Sequence, residues 1–249
     1  DSTGTSSDTE FTFSTSLMPS SSGTVFVNYA DREYPSIQKL LTEKNYYTFS
    51  MHGNNCTFWN RNITHESLGY KKFYCYNKDF NIDEVLGLGL SDKSFFKQAV
   101  PKIKEISENN QNFYGVLIML TNHTPFEAAS TVDFDVDYKY EKLNEETGEM
   151  ETVSAPYLEG TIIGNYLKTV HYADEAIGEF IDNLDKEGIL DNTVIVIYGD
   201  HDSKLKKAEF NRFYNYDPYT NSIKNKDDDD YIKIDTYFYE LNRKVPFII

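Results

Sequence analysis

The stretch "TVIVIYGDHD", Thr193 to Asp202, sets a run of five apolar or aromatic residues, Val194 to Tyr198, against a glycine, a carboxylate and an imidazole. Such a run, bounded by a turn residue, reads as a strand buried in the core of an α/β fold. Groups such as Asp200 and His201 are costly to place at the end of a buried strand unless something binds them. The strand is therefore expected to deliver both residues to a ligand crevice at the carboxyl edge of a parallel sheet.

Two more expected strands finish in the same way. "TFSMHGNN" ends its apolar part at His52, within a strand predicted over 46–51, and "VLIMLTNH" leads to His123, with Val116 to Leu120 expected to be buried on both faces. If the strands run parallel, three of the five histidines share one edge. Helical periodicity falls between the strands. It is seen in "YPSIQKLLTEKN" (34–45), through Ile37, Leu40 and Leu41, and in "SFFKQAVPKIKEISENN" (94–110), where Pro101 marks a kink or restart. The longest helix is expected within 157–188, where Ile163, Leu167, Val170, Ala173, Ile177, Phe180, Ile181 and Leu184 recur at steps of three and four and Gly188 sits at the C-cap. The alternation implies one α/β domain over 1–249, with a mostly parallel central sheet covered on both faces. A polar segment at about 127–157 interrupts it as an insertion, "EETGEM" (145–150) reading as a hairpin or loop turn. The run Asp227 to Asp230 reads as a solvated loop, because its ligand spacing is wrong for calcium.

The bulk numbers exclude some partners. A formal net charge of -16 repels nucleic acid and anionic membrane surfaces. No run approaches the roughly 20 apolar residues of a membrane helix, and both ends, "DSTGTSSD" and "KVPFII", look cut from a longer chain. Cys56 and Cys75 are too few for a disulfide scaffold or a cysteine-rich zinc site. Their spacing permits one bridge, but two free thiols is the reading taken.

The strand ends suggest chemistry. A carboxylate next to an imidazole suits zinc or manganese, whereas an all-oxygen set would suit magnesium or calcium better. A metal there could stabilise charge on a phosphoryl or sulfuryl group. The opening "STGTSSDTEF" offers hydroxyl nucleophiles, although by composition alone a Ser/Thr-rich chain end is a disordered tail. "HGNNCTFWNR" (52–61) gathers His52, the single tryptophan Trp59, and Arg61. Histidine and arginine are natural anion contacts, and an indole covers the apolar face of a polyol. The alternative is a core tryptophan beside a surface arginine. Sequons at Asn55, Asn62 and Asn122 read as chance matches.

Taken in order, "HGNNCTFWNR", "LTNHTPF" (120–126), "YADEAIGEFIDNL" and "DNTVIVIYGDH" resemble the extracellular domain of the lipoteichoic acid synthases, in the alkaline phosphatase and sulfatase superfamily. The likeness runs from about Gly4 to Ile249. It implies an alkaline-phosphatase-like three-layer α/β/α fold. It also implies metal-dependent transfer of phosphoglycerol from phosphatidylglycerol, through a covalent intermediate, to a glycerol-phosphate or glycolipid acceptor. In the family, a motif of the form G-x-T-S-D-x-E-F carries a threonine that is both nucleophile and metal ligand. "GTSSDTEF" places Ser6 there, a serine where the family has threonine. The family's metal-binding Asp and His fall on Asp200 and His201, with Mn2+ expected before Mg2+ or Zn2+. Its substrate-side residues fall on His52, Trp59, Arg61 and His123, the last also a candidate acid or base.

A further metal-ligating glutamate of the family would lie upstream of Asp1, and the segment after Asp200 and His201 departs from the family's pattern. The resemblance also implies a domain on the outer face of a bacterial cell membrane, tethered by helices outside this sequence. A sulfatase, a phosphatase or a phosphoethanolamine transferase keeps the same fold, but "SSDTEF" lacks the Pro and Arg of a sulfatase C/S-x-P-x-R motif. A non-catalytic glycerol-phosphate-binding domain is the reading from another class.

Overall fold

The computed structural model describes residues 4–241 and 243–249; Ser2 and Thr3 of the hydroxyl-rich opening lie outside them. In chain order the elements that matter here begin with α1 (Ser6–Thr15), α2 (Ile37–Glu43), β1 (Tyr46–His52), α3 (Arg61–Ser67) and β2 (Lys72–Cys75). They continue through α4 (Asp92–Asn109), β3 (Asn112–Ile118), β4 (Tyr138–Leu143) and β5 (Met150–Ala155). The series ends with α5 (Ile162–Lys186), β6 (Ile197–Tyr198), α6 (Lys207–Tyr214) and β7 (Phe247–Ile248).

The chain forms two compact units, one running through His123 and resuming over Ala173–Asp202 and Val245–Ile249, the other made of Thr124–Tyr172 and Ser203–Lys244. Every candidate site residue belongs to the first. Its sheet has the order β2-β1-β3, all parallel. As the middle strand, β1 is buried from Thr48 to His52. Its register against β3 is set by volume, since Phe49 lies opposite Gly115, where an added Cβ would come within 2.3 Å of the Phe49 ring.

α4 buries Phe95, Phe96, Ala99, Val100, Ile103 and Ile106 on one face, and Pro101 lies on the exposed face, so the helix continues through it. The same core takes Ala176 and Leu184 of α5 with Ile189 beyond it. α5 ends as its glycine foretells. Gly188 has φ 69°, Gly188 N–H donates to Asp185 O (2.8 Å) and Ile189 N–H to Leu184 O (3.0 Å), a Schellman ending.

Asp92, the first residue of α4, fastens the chain that leaves β3. Its buried carboxylate accepts Leu120 N–H (2.8 Å) and Thr121 N–H (3.1 Å), and its own N–H donates to Thr121 Oγ1 (2.8 Å). Burial pushes its pKa up to about 6 against these hydrogen bonds. The segment that carries His123 therefore leaves the sheet from a fixed point.

Three expectations are corrected. Among the described residues, of Val194 to Tyr198 only Ile197 and Tyr198 enter a ladder, antiparallel to β7, and Val194 and Val196 are exposed, so the opening stretch is not a buried parallel strand. With a hydrogen-bonded neighbour on one side only among the described residues, β3 is half-buried throughout rather than covered on both faces. Cys56 and Cys75 are joined by a disulfide, not left as free thiols. α2 differs as well: Ile37 and Leu40 are exposed, while Gln38 is buried and donates to Ser14 Oγ (3.0 Å).

The second unit packs Phe126, Val136, Leu158, Ile163, Leu205 and Phe210 together. It holds most of the expected polar insertion as the β4–β5 hairpin, whose turn is built on Asn144, which accepts Glu146 N–H (2.9 Å) and Thr147 N–H (3.2 Å). Asp227 to Asp230 is an exposed turn, with Asp230 paired to Lys224.

The bridge closes a loop of 19 residues' separation, so replacing both cysteines by alanine is expected to lower unfolding stability by about 3 kcal/mol in urea denaturation. Thiol titration of the unfolded protein should find no free thiol before reduction and both cysteines after it.

Candidate active site

The site is built on the first turn of α1. Thr5 caps it in an extended conformation, its Oγ1 accepting Asp8 N–H (3.4 Å) and donating to Asp8 Oδ2 (2.8 Å). Ser7 Oγ also lies 2.9 Å from Thr5 Oγ1. The hydroxyl of Thr5 is thus committed to the cap, whereas Ser6, the first helical residue, is half-exposed and takes no part in it. Asp8 is buried near the positive end of the helix, with Oδ1 lacking a partner.

One turn further on, Glu10 anchors a buried ionic cluster. Arg61 donates to it from Nε (3.1 and 3.2 Å) and from Nη2 (2.5 Å), and His65 donates from Nε2 (3.0 Å). Ser50 on β1 lies 2.8 Å from His65 Nδ1, which therefore accepts its hydroxyl proton. Arg61 and His65 are four residues apart on α3 and so share a face. Burial raises the Glu10 pKa, but the Arg61 charge, with the His65 and Arg61 hydrogen bonds, outweighs it and holds the carboxyl at about 2. Burial lowers the pKa of His65, which stays neutral.

Arg61 keeps one end unspent, Nη1 being buried without a partner. His52 is in the same condition: Nδ1–H donates to Ile118 O (3.0 Å) and Nε2 is buried and unpartnered. Burial, aided by the Arg61 charge, pushes the His52 pKa down to about 3, so the ring is neutral and Nε2 is an acceptor. The loop joining the two residues is tied by the Cys56–Cys75 bridge. Trp59 adopts a left-handed φ of 57° and packs against the cluster of Phe11, Val25, Phe26, Leu68 and Tyr70.

Asp200 and His201 follow β6. α1 reaches Asp200 once, by Thr9 Oγ1 donating to Asp200 O (2.5 Å), and reaches β6 before it by the Phe13 ring stacked on Tyr198 (4.5 Å). His201 Nδ1–H donates to Asp202 O (2.9 Å), which turns Nε2 toward Asp200 Oδ2 at 3.6 Å. The His123 ring lies 6.4 Å from that of His201. A carboxylate oxygen and an imidazole nitrogen 3.6 Å apart are two donors of the kind a divalent ion takes. No cluster of three or more His, Cys, Asp or Glu residues able to hold a metal occurs among the described residues.

The candidates therefore fall into two groups joined by α1. Asp200, His201 and His123 lie on one side, His52 and Arg61 on the other, with Ser6 on the helix that touches both. Arg61 is buried and ion-paired, not a surface arginine. Glu10, His65, Ser50 and Asp92 escaped the reading of the sequence. The four-residue spacing of Arg61 and His65 was the one signal available for the cluster.

Glu10 has its pKa lowered on folding, so it contributes stability above its ordinary value of 4.5 that is lost as pH falls toward 2. Breaking a buried pair costs about 3–5 kcal/mol, and Glu10→Gln should lower the melting temperature accordingly at neutral pH. The gap between wild type and variant, followed by thermal denaturation, is expected to close as pH drops from 4.5 to 2. Asp92, with a raised pKa, works oppositely between about 4 and 6, but equally in both proteins.

The sulfatase family model matches residues 2–234. Lipoteichoic acid synthase 2 of Bacillus subtilis is 34% identical over 199 residues, covering 80% of this chain and 27% of the relative. Lipoteichoic acid synthase of Staphylococcus aureus (strain USA300) is 38% identical over 200 residues, covering 80% and 28%. The chain thus spans about a quarter of the length of the curated relatives it matches. The crystal structure of the lipoteichoic acid synthase LtaP from Listeria monocytogenes superposes with a TM-score of 0.73 at 32% identity, over 99% of this chain and 53% of that one. A protein of the alkaline phosphatase superfamily from Vibrio parahaemolyticus shares the fold, with a TM-score of 0.60 at 21% identity, over 81% of this chain and 44% of that one. The parallel sheet flanked by helices and the match across nearly its whole length make this chain a member of the sulfatase family, with the α/β fold of the alkaline phosphatase superfamily.

Proposed function

We propose that the chain carries the catalytic site of a phosphoglycerol transferase, which moves glycerol phosphate from phosphatidylglycerol to a glycerol-phosphate polymer or glycolipid of the cell envelope. The likeness to lipoteichoic acid synthases supports the reaction class. The observation that carries the reading is the traffic through one helix: α1 bears Ser6, holds the Asp200 carbonyl through Thr9, and holds Arg61 through Glu10. A hydroxyl, a metal-type donor pair and an arginine with a free N–H are the parts that phosphoryl transfer needs.

In this reading Ser6 enters as the alkoxide, its hydroxyl proton released to solvent, attacks the phosphorus of phosphatidylglycerol while the bond to the diacylglycerol oxygen breaks, and is set free again as the alkoxide when the acceptor displaces it. The diacylglycerol oxygen takes a proton from His123. An acceptor hydroxyl then gives its proton to His123 and displaces the serine, releasing the extended acceptor. Arg61 Nη1 and His52 Nε2 hold the glycerol phosphate, one as donor and one as acceptor, and Trp59 covers its carbon face. A divalent ion, Mn2+ before Mg2+ or Zn2+, would be held by Asp200, His201 and Ser6 and would supply positive charge for the phosphoryl oxygens and a lower pKa for the serine. The site works at the outer face of a bacterial membrane, where its lipid donor lies; no helix among the described residues is long and apolar enough to cross one.

Incubated with phosphatidylglycerol and no acceptor, the full-length protein is expected to accumulate a glycerophosphoryl adduct on the peptide holding Ser6, read by mass spectrometry. Ser6→Ala should lose the adduct and at least about a thousandfold in turnover, while Thr5→Ala, lacking only the cap, keeps the adduct. An adduct that persists in Ser6→Ala removes the nucleophile assignment. Asp200→Ala should weaken Mn2+ binding, measured by equilibrium dialysis, by at least about tenfold.

A further inference from the structure

Ser6 and Glu10 are four residues apart in α1 and so lie on the same face of the helix, one turn and about 6 Å of rise from each other. Glu10 is bonded to Arg61 by three contacts of 2.5–3.2 Å and to His65 by one of 3.0 Å. His65 is braced in turn by Ser50 of the central strand. Together these contacts consume Nε and Nη2 of Arg61, leaving Nη1 as the donor with no partner, and they join α1, α3 and β1 through one carboxylate.

We propose that Glu10 is a positioning residue: it sets the distance and direction between the Ser6 hydroxyl and the free N–H of Arg61, so that the nucleophile and the group gripping the substrate arrive in register. The inference rests on the phosphoglycerol-transfer reading. It assigns to Glu10 no contact with substrate. Three features of the arrangement fit this role. A glutamate accepting a guanidinium along its Nε–Nη2 edge leaves the arginine no rotation about its terminal bonds. The His65–Ser50 brace stops the carboxylate from following α1 if the helix shifts. Thr9, the adjacent residue, is held by the Asp200 carbonyl, so movement of α1 at Glu10 would also disturb the Asp200–His201 side.

A residue that only aligns reacting groups governs turnover more than binding, because a displacement of about 1 Å costs on the order of a hundredfold in rate. The experiment is steady-state transfer from phosphatidylglycerol vesicles by the full-length protein, with active enzyme counted by Ser6 adduct formation. Glu10→Gln is expected to lower kcat by about a hundredfold with KM within about threefold of wild type. Glu10→Asp, which keeps the charge but withdraws it by one methylene, should lose about tenfold in kcat and serves where Glu10→Gln does not fold. In an Arg61→Gln background, Glu10→Gln should change kcat by less than about threefold, since its effect passes through Arg61.

A kcat per active molecule equal to wild type in both Glu10 variants overturns the proposal and reduces Glu10 to a stabilising ion pair. So does a full, independent loss in the Arg61→Gln background. If the wild-type protein itself forms no adduct and releases no diacylglycerol, the functional reading fails, and this inference fails with it. If wild type turns over, Ser6→Ala does not, and Glu10→Asp matches wild type, only the assignment of Glu10 falls.

Discussion

The charge cluster of Glu10, Arg61 and His65 is the constraint on which the first unit's working parts depend. The Arg61 side chain is 1% exposed and that of Glu10 is 10% exposed, so neither charge could persist there without the other. Burial alone would favour a protonated, neutral Glu10; the arginine reverses that. The cluster thereby couples a helix, a second helix and the central strand, α1, α3 and β1, because sliding any one of them strands a buried charge. Apolar packing against Phe11, Phe26, Leu68 and Tyr70 fills the space around it.

That constraint explains why two histidines in one region behave differently. His65 has both ring nitrogens satisfied within the cluster. His52, at the end of β1, has one nitrogen fixed by the Ile118 carbonyl and the other left bare beside the Arg61 charge. A buried acceptor and a buried donor, both unused, are an uncomfortable arrangement for a folded protein, since each unmet hydrogen bond costs about 1–3 kcal/mol. In the proposed function, a ligand presenting both an anionic oxygen and a hydroxyl would satisfy them, and glycerol phosphate is such a molecule.

Much of the architecture was legible because it follows from local period. The run 46–51 read as a strand and lies in β1, the three- and four-residue steps from Ile163 to Leu184 lie in α5, and Gly188 marks its ending. The apolar run Val194 to Tyr198 misled, because a run of aliphatic residues states that burial is favourable but not that a neighbour is present to provide it. Of that run two residues pair with another strand among the described residues. Residue identity pointed to Asp200, His201 and His52 at the expected strand ends, and to Arg61 in the segment that follows one of them. Glu10 was invisible for the opposite reason. It sits in a motif read for its hydroxyls, and its partner is 51 residues away, a separation that no periodicity encodes.

The loop between His52 and Arg61 shows what a site of this type costs and how the cost is met. Trp59 and Asn60 both hold left-handed backbone conformations, with φ of 57° and 52°, which for Trp59 costs on the order of 1 kcal/mol or more and for an asparagine less. Such strain survives only where the surroundings over-determine it. Here the loop is pinned on both sides of the strained pair, by the Cys56–Cys75 bridge before it and by the Arg61–Glu10 pair after it, while Asn60 Nδ2–H donates to Phe26 O (3.1 Å) from within. The sequence between the pins can then be chosen for what the turn presents, an indole and a guanidinium, and not for how easily it bends. The disulfide and the ion pair thus act together, on either side of the few residues through which the chain would meet its substrate.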